Sequence, residues 1–221
     1  MTAAAIVAAA GRGERLGARV PKALVEVCGA PLVVHAVTVL RSAGCDDVIV
    51  AAPPESVEDF ARLVPGASVI AGGATRQASV AAALQMLPAD VDVVLVHDAA
   101  RGLAPATVAE TVIAAVRAGA DAVVPVLPLA DTVKEVDSAG WVRRTLDRAA
   151  LRAVQTPQGF RRLVLERAHQ SATSGDSLDD ASLVEALGLT VRTVPGDPAA
   201  LKITTRADLL TVAALVGERV G

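Results

Sequence analysis

Ala3-Ala-Ala-Ile-Val-Ala8 runs without a break into Ala9-Ala-Gly-Arg-Gly-Glu-Arg-Leu-Gly17, and Pro21-Lys22 follows. The first six residues are small and apolar, the pattern of a strand buried on both faces. The next stretch carries two closely spaced glycines, Gly11 and Gly13, which let the backbone approach a ligand. Arg12, Arg15, Arg19 and Lys22 place four cations within eleven residues of a chain whose net charge is -3. A glycine turn after a strand, loaded with positive charge, suits a polyphosphate: backbone N–H groups cradle it and side chains neutralise it.

Two common phosphate loops do not fit these residues. A dinucleotide fingerprint needs a third glycine, and Leu16 stands at that position, with Pro21 where the following helix should still be running. A P-loop needs Gly-Lys-Ser/Thr, whereas Lys22 lies between Pro21 and Ala23. What remains is G-x-G-x-R-L-x(4)-P-K, which resembles the signature of nucleotidyltransferases that join a nucleotide to a sugar or polyol phosphate. A glycine-rich loop with solvated arginines is the plainer alternative for this stretch alone.

Downstream, strand-like runs alternate with helix-like ones. Strands are expected at 48–52, 67–71, 91–97 and 122–126, with helices at 56–64, 76–87 and 105–117. That rhythm gives βαβ units and a three-layer α/β fold, a mostly parallel, Rossmann-like sheet with helices on both faces. Ligands of such sheets bind beyond the carboxyl ends of the strands. The opening turn, the loop after Ala71 and the loop after His97 should therefore share one rim. All 221 residues are expected to form one domain, with 52% hydrophobic but 1% aromatic content, so the core must be built from Ala, Val and Leu.

The stretch 129–152 breaks the rhythm. Asp131-Thr-Val-Lys-Glu-Val136 and Trp141-Val-Arg-Arg-Thr145 flank Asp137-Ser-Ala-Gly140, a hairpin signal. A hairpin carrying the lone Trp141 has little core of its own, so a protruding arm used in homodimerisation is expected; folding flat over its own domain is the alternative. Farther on, 154–160 reads as a strand ending in a turn and 161–170 as a helix. Ser177-Leu-Asp-Asp180 reads as the capped start of another helix. The runs 190–194 and 201–203 read as short strands, and Thr205-x-x-Asp208 caps the last helix.

Two further loops carry chemistry. Val96-His-Asp-Ala-Ala-Arg101 delivers Asp98 to the end of a buried strand, the best-placed carboxylate for Mg²⁺. Capping the next helix or pairing with Arg101 is the other reading of Asp98; His97 alternates away from the rim and reads as structural. Gly72-Gly-Ala-Thr-Arg76 lets backbone reach a flat base edge, with Arg76 and Ser79 facing base, ribose or phosphate; a plain turn into a helix is the alternative there.

Taken together, these motifs with Asp131-Thr-Val-Lys134, Gln155-Thr-Pro-Gln158, Asp179-Asp-Ala-Ser182 and Lys202-Ile-Thr204 resemble the 2-C-methyl-D-erythritol 4-phosphate cytidylyltransferase family over nearly the whole chain. The resemblance implies transfer of CMP from CTP to a polyol phosphate in isoprenoid biosynthesis. Arg15 and Lys22 would stabilise charge at the α-phosphorus, and Asp98 would hold Mg²⁺ or another divalent cation. Ala9, Ala10, Gly11, Gly13, Gly72, Gly73, Arg76, Ser79 and Ala99 would form the nucleotide pocket. Arg101, Thr132, Arg148 and Lys202 would hold the acceptor, Arg148 from a partner subunit. Departures from the family pattern are Ala8, Ala74, Leu178 and, before Lys202, Ala199 or Ala200 with Asp197 displaced; the last puts a second metal carboxylate in question, and Leu178 puts that side of the acceptor pocket in question. Ribitol 5-phosphate as acceptor is the sibling alternative. A non-catalytic nucleotide-binding regulator is the alternative of another class, and it would be expected to lack Arg15 or Lys22.

The balance of charge, with no aromatic–basic interleaving, argues against nucleic acid. No apolar run has the length of a membrane span. The start of the chain lacks a basic signal region, no downstream domain is evident, and Cys28 and Cys45 read as reduced thiols, so a cytoplasmic, monofunctional enzyme is expected.

Overall fold

The computed structural model describes residues 2–11, 13, 20–172 and 178–217. Its first strand, β1 (Thr2–Ala8), lies at the centre of an eight-stranded sheet. A short ribbon of β2 (Glu26–Val27) and β3 (Ala30–Pro31) stands apart from that sheet. In the sheet, β1 pairs in parallel with β4 (Asp47–Ala52) on one side and with β6 (Val91–Asp98) on the other. Beyond β4 lies β5 (Ser68–Ala71), also parallel. Beyond β6, β11 (Gln158–Arg161) runs antiparallel between β6 and β7 (Ala122–Pro128). The sheet is completed by β10 (Arg152–Val154), antiparallel to β7, and β12 (Val191–Pro195), parallel to it.

Strand alternation on β1 explains the two cores. Ala3, Ala5 and Val7 join one cluster with Val33, Val37, Phe60, Val112 and Val116. Ala4 and Ile6 join the other with Val80, Leu84, Phe160, Leu165 and Val184. The first cluster is roofed by α1 (Leu32–Ser42), α2 (Val57–Leu63) and α4 (Ala106–Arg117); the second by α3 (Arg76–Leu84), α5 (Arg162–Ser171) and α6 (Asp180–Ala186). Helices therefore cover both faces of a mostly parallel sheet, as the sequence rhythm predicts. A satellite cluster of Val27, Leu32, Ile203 and Val212 seats α7 (Arg206–Gly217).

Several local readings change. The sequence reading contains no α1, which starts after Pro31 without a side-chain cap and is rich in valine. Burial of Leu32, Val33, Ala36, Val37 and Leu40 along one stripe overrides the weak local signal. The strand read at 154–160 is interrupted: β10 ends at Val154, the Thr156–Pro157 bond is cis, and β11 begins at Gln158. Residues 201–203 form no strand; Ile203 makes one backbone bond, to Ala100 O at 2.9 Å, and buries its side chain in the satellite cluster. The cap of α6 is Asp179, whose carboxylate accepts from Ser182 N–H at 2.9 Å, while Ser177 lies outside the described residues. Thr205 and Asp208 do form the reciprocal cap of α7.

The hairpin forms as read, from β8 (Lys134–Val136) and β9 (Val142–Thr145), and pairs with no strand of the main sheet. Asp137 organises its turn by accepting from the Ala139 and Trp141 N–H groups. Trp141 is 74% exposed and Val136 and Val142 are exposed beside it. Cys28 is exposed and Cys45 buried, both free, with the Cys45 thiol pushed up to about 12 chiefly by burial. No helix among the described residues is long and apolar enough to cross a membrane.

Candidate active site

The carboxyl ends of β1, β5 and β6 meet at one rim, and a cavity of about 280 Å³ opens there. Ala9, Ala10 and Gly11 line it just past the end of β1, Lys22 and Ala23 from a later turn, Gly73 from the turn before α3, and Arg76 and Ser79 from the start of α3. Asp98, Ala99 and Lys202 close it. Ten of the site residues expected from the sequence thus converge on one space, although they come from five separate stretches.

Each wall has a local cause. Ala9 N–H donates to Ala51 O at 2.9 Å, carrying the chain off the end of the sheet. Gly13 has φ +69°, and a Cβ there would lie 2.6 Å from Lys22 Cβ, so only glycine permits the loop to lie against Lys22. Lys22 N–H in turn donates to Gly11 O at 3.3 Å. The Gly72-Gly73 turn is equally tight: a Cβ on Gly72 would meet Ala10 Cβ at 2.8 Å, and one on Gly73 would meet Ala78 Cβ at 2.6 Å. Ser79 holds that turn, its hydroxyl accepting from Gly73 N–H at 3.0 Å and donating to Thr75 O at 2.9 Å. Thr75, which the sequence reading gives no role, caps α3 by accepting from Ala78 N–H.

Charge at the rim is concentrated on Asp98, which is 7% exposed. Its Oδ1 accepts from Arg76 Nε at 3.0 Å and its Oδ2 pairs with Lys202 Nζ at 2.7 Å. Burial alone would raise its pKa, but Arg76 and Lys202 overcome that and hold the carboxyl well below the usual range. The alternative of pairing with Arg101 is not what forms. Arg101 instead donates to Ala200 O at 2.7 Å and Val154 O at 3.2 Å, tying the Lys202 segment to β10. Asp98 N–H donates to Thr156 Oγ1 at 3.0 Å, and that hydroxyl also meets His97 Nδ1 at 2.9 Å. His97 is wholly buried, and burial pushes its pKa down to about 4. It is structural, as its place in the strand alternation suggests.

A second cavity, of about 450 Å³, shares Arg76, Asp98 and Lys202 with the first and continues along Arg101, Gln155, Thr156, Gln158, Asp179 and Glu185. Leu178, at a position where the sequence departs from the family pattern, lines it and is 94% exposed. Gln155 clamps the approach to Lys202: its amide donates to Asp197 O at 2.9 Å and accepts from Asp197 N–H at 3.0 Å. Asp197 caps the turn before Lys202 through Ala199 N–H and lines neither cavity.

Thr132 and Arg148 lie on the exposed arm and line neither cavity; Arg148 donates to Ala130 O. Arg15 lies outside the described residues, as do Arg12 and Arg19.

The donor set suits a hard cation in one particular way. No three His, Cys, Asp or Glu converge among the described residues. Asp98 offers one ionised carboxylate with lone pairs left after its two cation contacts, so nucleotide phosphates and water would have to complete the shell, which is how Mg²⁺ is commonly held.

A family model described as 2-C-methyl-D-erythritol 4-phosphate cytidylyltransferase matches residues 3–218. The curated protein of that name from Frankia casuarinae is 54% identical over 217 residues, spanning 97% of this chain and 81% of that one. That from Saccharopolyspora erythraea is 51% identical over 225 residues, spanning 98% and 100%. The crystal structure of the Thermus thermophilus protein of that name superposes with a TM-score of 0.82 at 37% identity, covering 98% of this chain and all of the other.

Proposed function

Since this chain belongs to the 2-C-methyl-D-erythritol 4-phosphate cytidylyltransferase family, we infer that it transfers CMP from CTP to 2-C-methyl-D-erythritol 4-phosphate, releasing pyrophosphate and 4-diphosphocytidyl-2-C-methyl-D-erythritol. The observation that carries this reading is the pair of cavities that share Arg76, Asp98 and Lys202 as a common wall. A reaction that joins two phosphates needs two anion sites with cations at their junction.

In this reading the cytidine and its triphosphate occupy the first cavity, against the backbone of Ala9 to Gly11 and Gly73, with Ala99 beside the ribose. The acceptor occupies the second cavity, its phosphate facing Lys202 and its hydroxyls reaching Arg101 and the amide and carboxylate groups beyond. One oxygen of the acceptor phosphate forms the new bond to the α-phosphorus. The bond from that phosphorus to the bridging oxygen breaks, and pyrophosphate leaves with the electron pair. The attacking oxygen is already anionic, so no general base is required, consistent with two cavities lined by no histidine among the described residues. Catalysis rests on alignment and on positive charge. Lys22 and Arg15 supply charge at the α-phosphorus. Asp98 would hold Mg²⁺, which when bound neutralises phosphate charge and favours departure of pyrophosphate.

The arm supports a homodimer. A two-stranded hairpin with Val136, Trp141 and Val142 exposed has no core to sustain it alone, and a partner surface would cover them. Thr132 and Arg148, which line neither cavity of their own chain, would then serve the partner's acceptor site. The free thiols of Cys28 and Cys45 fit work in a reducing cytoplasm.

Pyrophosphate release is measured with CTP and Mg²⁺, offering methylerythritol 4-phosphate or ribitol 5-phosphate. Turnover with the first alone is expected. Turnover with ribitol 5-phosphate alone would replace the acceptor, and CTP binding without turnover on either would favour a regulator.

A further inference from the structure

Behind Arg76 lies a second carboxylate that the nucleotide chemistry does not require. Asp180, the first residue of α6, is 1% exposed. Its Oδ2 pairs with Arg76 Nη1 at 2.6 Å, and its Oδ1 meets His169 Nε2, from α5, at 3.0 Å. Arg76 therefore spans two carboxylates, Asp180 through Nη1 and Asp98 through Nε. A chain of four side chains from α5, α6, α3 and β6 leads from the interior to the rim.

We propose that Asp180, steadied by His169, is a positioning residue for the nucleotidyl-transfer site: through the fork of Arg76 it sets the orientation of Asp98. The proposal rests on the reading above, in which Asp98 faces the nucleotide and its cation.

The argument begins with geometry. A guanidinium offers paired N–H groups that fit a carboxylate two at a time. With Asp180 occupying Nη1, Asp98 is bound through Nε on one oxygen, and its other oxygen stays turned to Lys202 and the cavity. Without Asp180 the fork is free to close on both oxygens of Asp98, drawing the carboxylate off the rim. Energetics point the same way. The Asp180 side chain is buried while that of Arg76 is 28% exposed, and such a pair is weak evidence for stability, since apolar side chains of similar volume often do as well or better. A buried charge that sits one residue away from a functional carboxylate is better accounted for by what it orients. The pattern matches the outer-shell partners of metal-binding carboxylates, whose loss commonly costs about 10–100-fold in metal affinity or activity.

Asp180→Asn keeps the shape, leaves one acceptor oxygen where Arg76 and His169 now meet two, and removes the charge. Pyrophosphate release by the full chain is measured over CTP, acceptor and Mg²⁺, and CTP binding is followed by calorimetry with and without Mg²⁺. We expect kcat to fall at least about tenfold. The Mg²⁺ concentration for half-maximal rate should rise by a similar factor. KM for CTP at saturating Mg²⁺ should stay within about twofold of the wild-type value, because the base and ribose contacts are elsewhere. In calorimetry the gain in CTP affinity conferred by Mg²⁺ should shrink, while metal-free binding stays the same. A role in stability alone would lower the melting temperature and leave kcat and the Mg²⁺ dependence of the folded protein unchanged, which overturns the proposal. Arg76→Lys is the second variant, in case Asp180→Asn does not fold. Lysine keeps the charge but cannot span two carboxylates, so it should lose as much, and wild-type turnover would equally overturn the idea. Asp98→Asn separates the levels. If it is as active as the wild type, the reading of the site itself fails; if it is inactive while Asp180→Asn is normal, the positioning role alone fails.

Discussion

Acidification should destabilise this protein through one residue that takes no part in catalysis. Folding buries His97 completely and lowers its pKa from 6.5 to about 4. The unfolded chain therefore binds more protons than the folded one between those values. Stability from this residue is complete above about pH 6.5 and drains away as the pH falls toward about 4. A tenfold change in proton affinity is worth about 1.4 kcal/mol. Integrated from pH 7 down to about pH 4.5, the loss from His97 comes to about 2–3 kcal/mol. Asp98 and Asp180 are both held below the ordinary carboxylate range, by Arg76 and Lys202 in one case and by His169 and Arg76 in the other, and in both against the effect of burial. Their contributions are lost only as the pH falls below about 4, so they do not mask the histidine. The assay is urea unfolding followed by far-UV circular dichroism across this range, comparing the wild type with His97→Gln, whose amide can still meet Thr156. The variant's absolute stability does not matter. What matters is that its stability falls less steeply on acidification, by about 2–3 kcal/mol over the interval. Parallel curves would refute the reasoning, since they would mean that His97 titrates alike in the folded and unfolded chains.

Two further outcomes follow from the proposed site and arm. Lys22→Ala should fold normally, because alanine keeps the Cβ against which Gly13 packs, yet lose roughly 10²–10³-fold in kcat, as removal of a preorganised charge stabiliser does; steady-state pyrophosphate release decides it, and unchanged turnover removes Lys22 from the chemistry. Trp141→Ser should weaken self-association, read by sedimentation velocity, and an unaltered mass at the same concentration would take the arm out of any interface.

The rim is legible in the sequence because each of its loops follows a strongly apolar strand and carries its own local signal. Gly11 and Gly13, Gly72-Gly73 and Asp98 are all found by looking just past a strand end, and the carboxyl-edge rule for parallel sheets then brings them together. The relay behind them has no such signal. Arg76 and Asp180 are 104 residues apart in the chain, and no spacing pattern connects them. The motif Gln155-Thr-Pro-Gln158 stands out in the sequence but suggests no task, and Asp179-Asp180 suggests only a helix start; Gln155 turns out to clamp the backbone before Lys202, and Gln158 donates to Asp179 at 2.7 Å. Helix α1 escapes the sequence reading for a different reason. Its β-branched residues and uncapped start leave local preference undecided, and only burial settles it. The segment 201–203 shows the converse: apolar residues that look like a strand are pinned instead by Arg101 and by a single backbone bond to Ala100.

A core assembled from alanine and valine has an optical consequence. The chain holds one tryptophan and no tyrosine, and that tryptophan stands in water at the base of the hairpin turn, 74% exposed. Both phenylalanines, Phe60 and Phe160, are sealed in the two cores. Intrinsic emission excited above the phenylalanine band therefore comes from a single position. It is a probe, already installed, of whatever comes to rest against the arm. A blue shift as the protein is concentrated would report the indole leaving water, with no label and no substitution.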